Sequence, residues 1–283
     1  MAALTEEQSI LHDQATDWAK ERAPVAKFRA LRDADTPTRF DPALWREMIE
    51  LGWTGIIVPE TYGGAGLGYM EFAVVLEQLG RELTASPLFA SAYVAASAII
   101  AAGETDHAGR LLPSVVRGDE IVTLALDEGP RHAPSRILVE ATGGEDGYRL
   151  SGAKTFVPEG MAATTFIVAA RTQEGLSLFV VPVSAAGLTR TPMQTFDSRG
   201  YAQLKFNEVE LDASAILGSA GAGATILDST LDRARVGMAA EMLGTGSAAF
   251  DMTLDHPNSR EPSGQVIGAF QALCARASGL FSR

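Results

Sequence analysis

Cysteine is almost missing. Cys274 is the single thiol among 283 residues, so no disulfide can close within the chain and a cysteine metal site lacks ligands. Its neighbours Ala272, Leu273 and Ala275 mark a packed helix position, with no base nearby to make it a nucleophile. A basic excess is also missing. The 23 Lys and Arg face 35 Asp and Glu, a formal charge of -12. That balance argues against nucleic acid or an anionic membrane as partner, and leaves room for an anionic ligand in a locally basic site. Long apolar runs are lacking too. The most apolar stretch, Ala90 to Ala102, is 13 residues, against the roughly 20 that span a bilayer. No basic segment followed by an apolar run opens the chain, so no signal peptide is read. A cytoplasmic, reducing location is the expectation, with no metal site.

What is present is a globular balance, 46% hydrophobic and 20% charged, over a length that suits two or three domains. Residues 1–118 read as helical. Thr5-Glu6-Glu7-Gln8 is a capping box, and Asp41-Pro42 is a helix start with proline in the first turn. Trp45, Met48 and Ile49 follow at helical spacing, and Phe72, Val75, Leu76 and Leu79 form another apolar face. Gly52, Gly63, Gly64, Gly66 and Gly68 punctuate the segment between them.

Near Ile121 the pattern changes. Short β-rich runs at 121–126, 148–157, 166–170, 176–182 and 202–211 are separated by Gly143-Gly144, Asp146-Gly147 and Glu174-Gly175. Residues 119–213 therefore read as an antiparallel β domain, since no helices separate the strands to make parallel crossovers. From Ala224 the helical period returns, with candidates at 226–253 and 265–281 and breaks at Pro257 and Pro262. The expected fold is α+β: an N-terminal helical domain (1–118), a central antiparallel β domain (119–213) and an incomplete C-terminal helical domain (224–283). The apolar faces at Leu231, Met238 and Met242 and at Ile267, Phe270, Leu273 and Leu280 call for a bundle. Either they pack on other segments or subunits, or the chain is incomplete.

Several strings together carry a family resemblance. Trp45 to Gly52, followed by Pro59-Glu60-Thr61-Tyr62-Gly63-Gly64-Ala65-Gly66, resembles the "W…LG…PE-x-YGG-x-G" signature of acyl-CoA dehydrogenases. Its glycines suit a tight, positive-φ turn beneath the substrate pocket. Leu124 to Gly129 lies where that family carries its "T-E-P" flavin strand, and Gly152 to Pro158 where it carries "G-x-K-x-W-I-T". Arg260, Gly264, Ile267, Gly268, Phe270 and Gln271 match "R-x-x-F-G-x-x-I-G-x-F-Q", with Ser263 in place of the Phe.

The resemblance implies FAD as cofactor, an acyl-CoA thioester as substrate, and an electron-transfer flavoprotein or similar acceptor. Leu126, Asp127, Phe156 and Pro158 would face the flavin. Asp127 stands in place of Thr, Gly129 of Pro, Phe156 of Trp and Pro158 of Thr. Phenylalanine keeps an aromatic face, proline loses both hydroxyl and N–H, and an ionised Asp127 would disfavour an anionic reduced flavin unless protonated or turned away. These departures belong either to a subfamily or to a weakened site. Arg260 and Gln271 would hold the FAD pyrophosphate and adenosine end; the plainer reading of Arg260 is a solvated helix start. Asp232 and Arg235 stand at the family's substrate-side "D-x-x-R", or form a surface ion pair. Gly218, Gly221 and Gly223 cradle a phosphate or link strand to helix, the linker being preferred. Phe89 and Tyr93 line an acyl pocket or are plain core.

The family reaction removes an α-proton and passes a β-hydride to flavin, which needs a carboxylate base. One family position for it lies beyond Arg283, and the alternative is Ala234 here. Glu241, seven residues on, sits about 10 Å away along a helix and is a poor substitute. Three readings follow: an acyl-CoA dehydrogenase with a shortened chain and no evident catalytic Glu; a non-catalytic FAD- or acyl-CoA-binding or scaffolding subunit of a mixed oligomer; and, last, a flavin-dependent oxygenase on the same fold. A homo- or hetero-oligomer is expected.

Overall fold

The computed structural model describes residues 4–144, 146–197, 199–259 and 271–281. Helices come first: α1 (Glu6–Arg22), α2 (Val25–Asp33), α3 (Pro42–Glu50) and α4 (Tyr69–Arg81). The capping box forms as expected, Gln8 N–H donating to the Thr5 hydroxyl while the Gln8 side chain accepts from Thr5 N–H. Asp41 caps α3 by accepting from Ala43 N–H. Both orphan ends are thereby satisfied. Phe72, Val75, Leu76 and Leu79 are buried, as are Trp45 and Met48.

The next stretch departs from a regular α-helix. Leu88–Ala95 is π-helical and runs into α5 (Ala96–Ala101), followed by α6 (Asp106–Val116). Widened turns of this kind re-aim side chains, often at functional sites.

Among the described residues, seven strands follow: β1 (Val122–Ala125), β2 (Glu140–Gly144), β3 (Gly147–Val157), β4 (Thr165–Thr172), β5 (Gly175–Pro182), β6 (Leu188–Pro192) and β7 (Ala202–Leu211). They make one sheet in the order β1-β4-β2-β3-β7-β6, with β5 also on β4. The sheet is mixed, which corrects the expectation of purely antiparallel pairing. β1 runs parallel to β4 in register Val122↔Thr165, and β2 meets β4 in parallel at Glu140↔Arg171. The expected need for a helical crossover misled, because the β2–β3 hairpin itself occupies the connection between β1 and β4. The remaining pairs are antiparallel.

β3 is irregular where it matters most. Its register on β7 slips between Lys154↔Leu204 and Val157↔Ala202. Two residues of β3 there oppose one of β7, a bulge that re-aims a side chain. Phe156 sits in it at φ 50°, turned out of the ladder.

After β7 the chain enters α7 (Gly223–Ser259), and α8 (Gln271–Phe281) is the last described element. Pro257 does not end α7, which runs to Ser259; a proline costs a helix one N–H bond and some strain without necessarily ending it. Pro262 lies outside the described residues. α7 crosses α4 at backbone contact. A Cβ on Gly80 would stand 2.2 Å from Glu241 O, and one on Gly244 1.8 Å from Glu77 O. Only glycine permits that approach. Among the described residues, no helix is long and apolar enough to cross a membrane.

Candidate functional site

Where the π-helical segment, β1, β3 and α7 converge, they enclose a cavity of about 520 Å³. Phe89, Ala90 and Val94 come from the π-helical turns, and Leu231, Ala234, Arg235, Met238, Ala239 and Met242 from α7. Thr123, Leu124, Leu126 and Asp127 come from β1 and its continuation, His132 from the loop beyond, and Phe156 and Pro158 from the end of β3. An apolar cleft with a few placed polar groups is the usual form of a small-molecule site.

The side chains expected to face a flavin, Leu126, Asp127, Phe156 and Pro158, all meet in this cavity, together with Ala234 and Arg235. Asp232 does not line it. It pairs with Arg235 in an exposed i,i+3 contact. Phe89 reaches the cavity, whereas Tyr93 is fully buried core, stacked on Phe89 and edge-on to Phe72. Burial pushes the Tyr93 hydroxyl up to about 12. None of Pro59 to Gly66 lines the cavity, although Gly63 and Gly66 take the expected positive φ. The cluster at Gly218 to Gly223 packs on the sheet. Gly221 N–H donates to the Ser177 hydroxyl at 2.9 Å, and a Cβ on Gly223 would meet Leu176 O at 2.7 Å. Arg260, Gly264, Ile267, Gly268 and Phe270 lie outside the described residues, as does the side chain of Cys274; Gln271 is exposed.

The Asp127 carboxylate is held by hydrogen bonds at the cavity wall. It accepts from His132 Nδ1 at 3.0 Å and from Ala133 N–H at 3.2 Å, while the Asp127 carbonyl accepts from Thr155 N–H at 2.7 Å. The imidazole partner and the amide meet the negative charge that an electron-accepting ring would otherwise face. Phe156 offers a partly exposed ring, edge-on to Tyr201 at 6.3 Å. Pro158, though it has no N–H, accepts from the Thr123 hydroxyl at 2.7 Å. An apolar slot with an open aromatic face and a compensated carboxylate fits a flavin ring.

Two features escaped the sequence reading. One is the ion pair Lys154–Glu128, at 2.6 Å and buried on both sides. Lys154 also donates to Leu126 O, and Glu128 accepts from Leu138 and Val139 N–H. Burial pulls Lys154 below the usual lysine range against the opposing pull of Glu128. The other is the cluster Glu159, Arg199, Tyr201 and Glu241 beside the cavity. Burial pushes the Glu159 carboxyl up to about 8, although Arg199 works against it. Burial opposes charge on Arg199 as well, yet Glu241 and Glu159 outweigh it and raise the guanidinium. Glu241 is paired with Arg199. The ion-pair partners, 26 and 42 residues apart in sequence, left no local pattern to read. Among the described residues, no group of three or more His, Cys, Asp or Glu is placed to hold a metal.

Comparisons with known proteins bear on the same elements. Residues 5–119 match the acyl-CoA dehydrogenase N-terminal domain and residues 133–214 the acyl-CoA dehydrogenase middle domain. Acyl-CoA dehydrogenase FadE27 of Mycobacterium tuberculosis is 34% identical over 239 residues, 84% of this chain and 62% of the relative. The chain thus spans less than two thirds of that protein's length. Among solved structures, the Tcur3481-Tcur3483 steroid ACAD superposes with TM-score 0.87 at 33% identity, covering 98% of this chain and 73% of that one. The ChsE4-ChsE5 complex from Mycobacterium tuberculosis does so with TM-score 0.87 at 29% identity, covering 99% and 74%.

Proposed function

Because the chain belongs to the acyl-CoA dehydrogenase family, we propose that its cavity takes an acyl-CoA thioester beside FAD for α,β-dehydrogenation. The observation that carries this is the convergence of Leu126, Asp127, Phe156 and Pro158 with α7 around one apolar cleft. Phe156 and Leu126 would pack on the flavin, with Asp127 held off it by His132; Arg260 and Gln271 would take its pyrophosphate and adenosine end. FAD, when bound, supplies the hydride acceptor. The acyl chain suits the apolar side of the cleft formed by Phe89, Val94, Leu231 and Met238. Arg235 lies at the same cleft and would meet the CoA portion, with Asp232 orienting it. An electron-transfer flavoprotein or similar carrier would reoxidise the flavin.

The same cavity wall offers Ala234 where some family members carry a Glu, so this chain contributes no carboxylate there. A second reading follows: the chain works as the FAD- and acyl-CoA-binding or scaffolding member of a mixed oligomer. The complex named for one structural relative supports it. So do the exposed apolar side chains Val236, Leu243 and Met252 of α7, which leave surface for further helices.

The test is reconstitution of the purified chain with FAD, followed by its visible spectrum and by acyl-CoA turnover with an artificial acceptor. Retained flavin whose spectrum changes on adding acyl-CoA is expected. Failure to retain FAD would refute the cofactor assignment. Turnover that appears only with a co-purifying partner would select the mixed-oligomer reading.

A further inference from the structure

Two walls of the cavity belong to different parts of the fold. Phe156 and Pro158 come from the end of β3, and Met238 and Met242 from α7. The connection from β6 to β7 supports the first wall and reaches across to the second. Met193, just after β6, accepts on its Sδ from Phe156 N–H at 3.3 Å and from the Thr155 hydroxyl at 3.4 Å. The Tyr201 ring stands edge-on to Phe156, and Met193 N–H donates to Tyr201 O. Phe156 takes φ 50° in its bulge, a conformation that a bulky residue keeps only where its surroundings impose it. Met193 and Tyr201 supply that support.

One side chain of the same connection crosses to α7. Arg199 pairs with Glu241, and both are partly buried. Glu241 precedes Met242 of the α7 wall, as Glu159 follows Pro158 of the β3 wall. The backbone is fixed at this point. A Cβ on Gly200 would stand 2.8 Å from Glu159 Oε2 and 2.8 Å from Thr38 O, so the residue after Arg199 is wedged between the end of β3 and the segment before α3. Arg199 N–H donates to the Asp197 carboxylate. A guanidinium rooted on a fixed backbone and aimed at a helix loses little further freedom on pairing. Glu159, its Oε2 unpartnered, is a second carboxylate acting on the Arg199 charge.

We propose that Arg199 is a positioning residue of the cavity: by tying the β6–β7 connection to Glu241, it fixes the spacing between the β3 wall and α7 and holds Phe156 in place for flavin packing. This rests on the FAD reading above. The groups acting on the pair are Glu159 at the end of β3, Asp197 and Tyr201 on the same connection, and Glu241 on α7. Protonated Glu159 leaves Arg199 to Glu241. Once ionised, Glu159 competes with Glu241 for the guanidinium and the tie slackens. Burial pushes that carboxyl up to about 8, so the tie holds at neutral pH and weakens as pH rises past that value.

Two readouts separate positioning from general stability. The first needs no cofactor: residue-resolved amide exchange of the full chain at pH 7, with β4 and β5 as the internal control. R199M should speed exchange at Thr155 and Phe156 and leave the two control strands as in wild type, and R199K, which keeps the charge, should restore most of the protection. The second is the Kd for FAD, from flavin fluorescence. R199M and E241Q should each weaken FAD binding about tenfold, and the double variant no more than either alone, the sign of one shared interaction. The wild-type Kd should rise above about pH 8, and E159Q should remove that rise. Wild-type behaviour of R199M in either readout would overturn the proposal. Equal loss of protection across β4 and β5, with R199K no better, would make Arg199 a general stability residue and also overturn it. A wild type that binds no FAD would refute the cofactor reading, and the exchange readout would then decide the tie by itself.

Discussion

Two carboxylates lie buried near the end of β3, and the protein treats them oppositely. Glu128 has every oxygen engaged, by Lys154 and by two backbone amides. Glu159 sits 5% exposed with its Oε2 unpartnered, beside an Arg199 already paired with Glu241. A buried charge persists when its hydrogen bonds are complete; otherwise it holds a proton instead. The first arrangement fixes a loop beside the cavity. The second leaves an acid protonated at neutral pH, between the sheet and α7.

Breaking the complete pair has the largest expected effect. K154M leaves Glu128 charged and buried, at a cost of about 3–5 kcal/mol, measurable by urea denaturation at pH 7. The loop bearing His132 should loosen with it, visible as faster amide exchange at Leu138 and Val139. R199M comes next, at about 2 kcal/mol because its partner Glu241 is partly exposed.

The third test sharpens the comparison through pH. Glu159 is raised from 4.5 to about 8 by burial. Between those values the folded protein keeps a proton that the unfolded chain has released, so stability falls as pH rises and the loss is complete above about 8. E159Q, which mimics the protonated acid, should flatten that slope in thermal melts between pH 5 and 9. An unchanged slope would locate the dependence elsewhere. The smallest effect is expected at the exposed pair. D232N should change stability by no more than about 0.5 kcal/mol, though it can still raise the KM for an acyl-CoA if Asp232 orients Arg235.

Local chemistry was legible in the sequence and long-range pairing was not. The Thr5 box, the Asp41 cap and the apolar faces of α3 and α4 follow from neighbours within one or two turns. Strand positions were readable from residue type, but the parallel pairing of β1 with β4 was not, because partner choice is made across 43 residues. The π-helical turns at Leu88–Ala95 contain no proline or glycine to mark them in the sequence. For the site, the flavin-facing positions followed from the family resemblance, and all four line one cavity. The Asp127–His132 pair was missed because Asp127 was weighed only as a departure from a motif, without its neighbour five residues on.

The sequence by itself determined the order of helix, sheet and helix, the family resemblance, and the absence of a carboxylate at Ala234. Those depend on residue type and short spacing, which a linear string records. Only the tertiary structure decided that the Asp127 carboxylate is hydrogen-bonded by His132 and Ala133, and that Phe156 is swung outward by a bulge. It alone completed Glu128 and left Glu159 partly unpartnered. The charge state and aim of a side chain depend on desolvation and on donors from distant segments, and these exist only once the chain has packed.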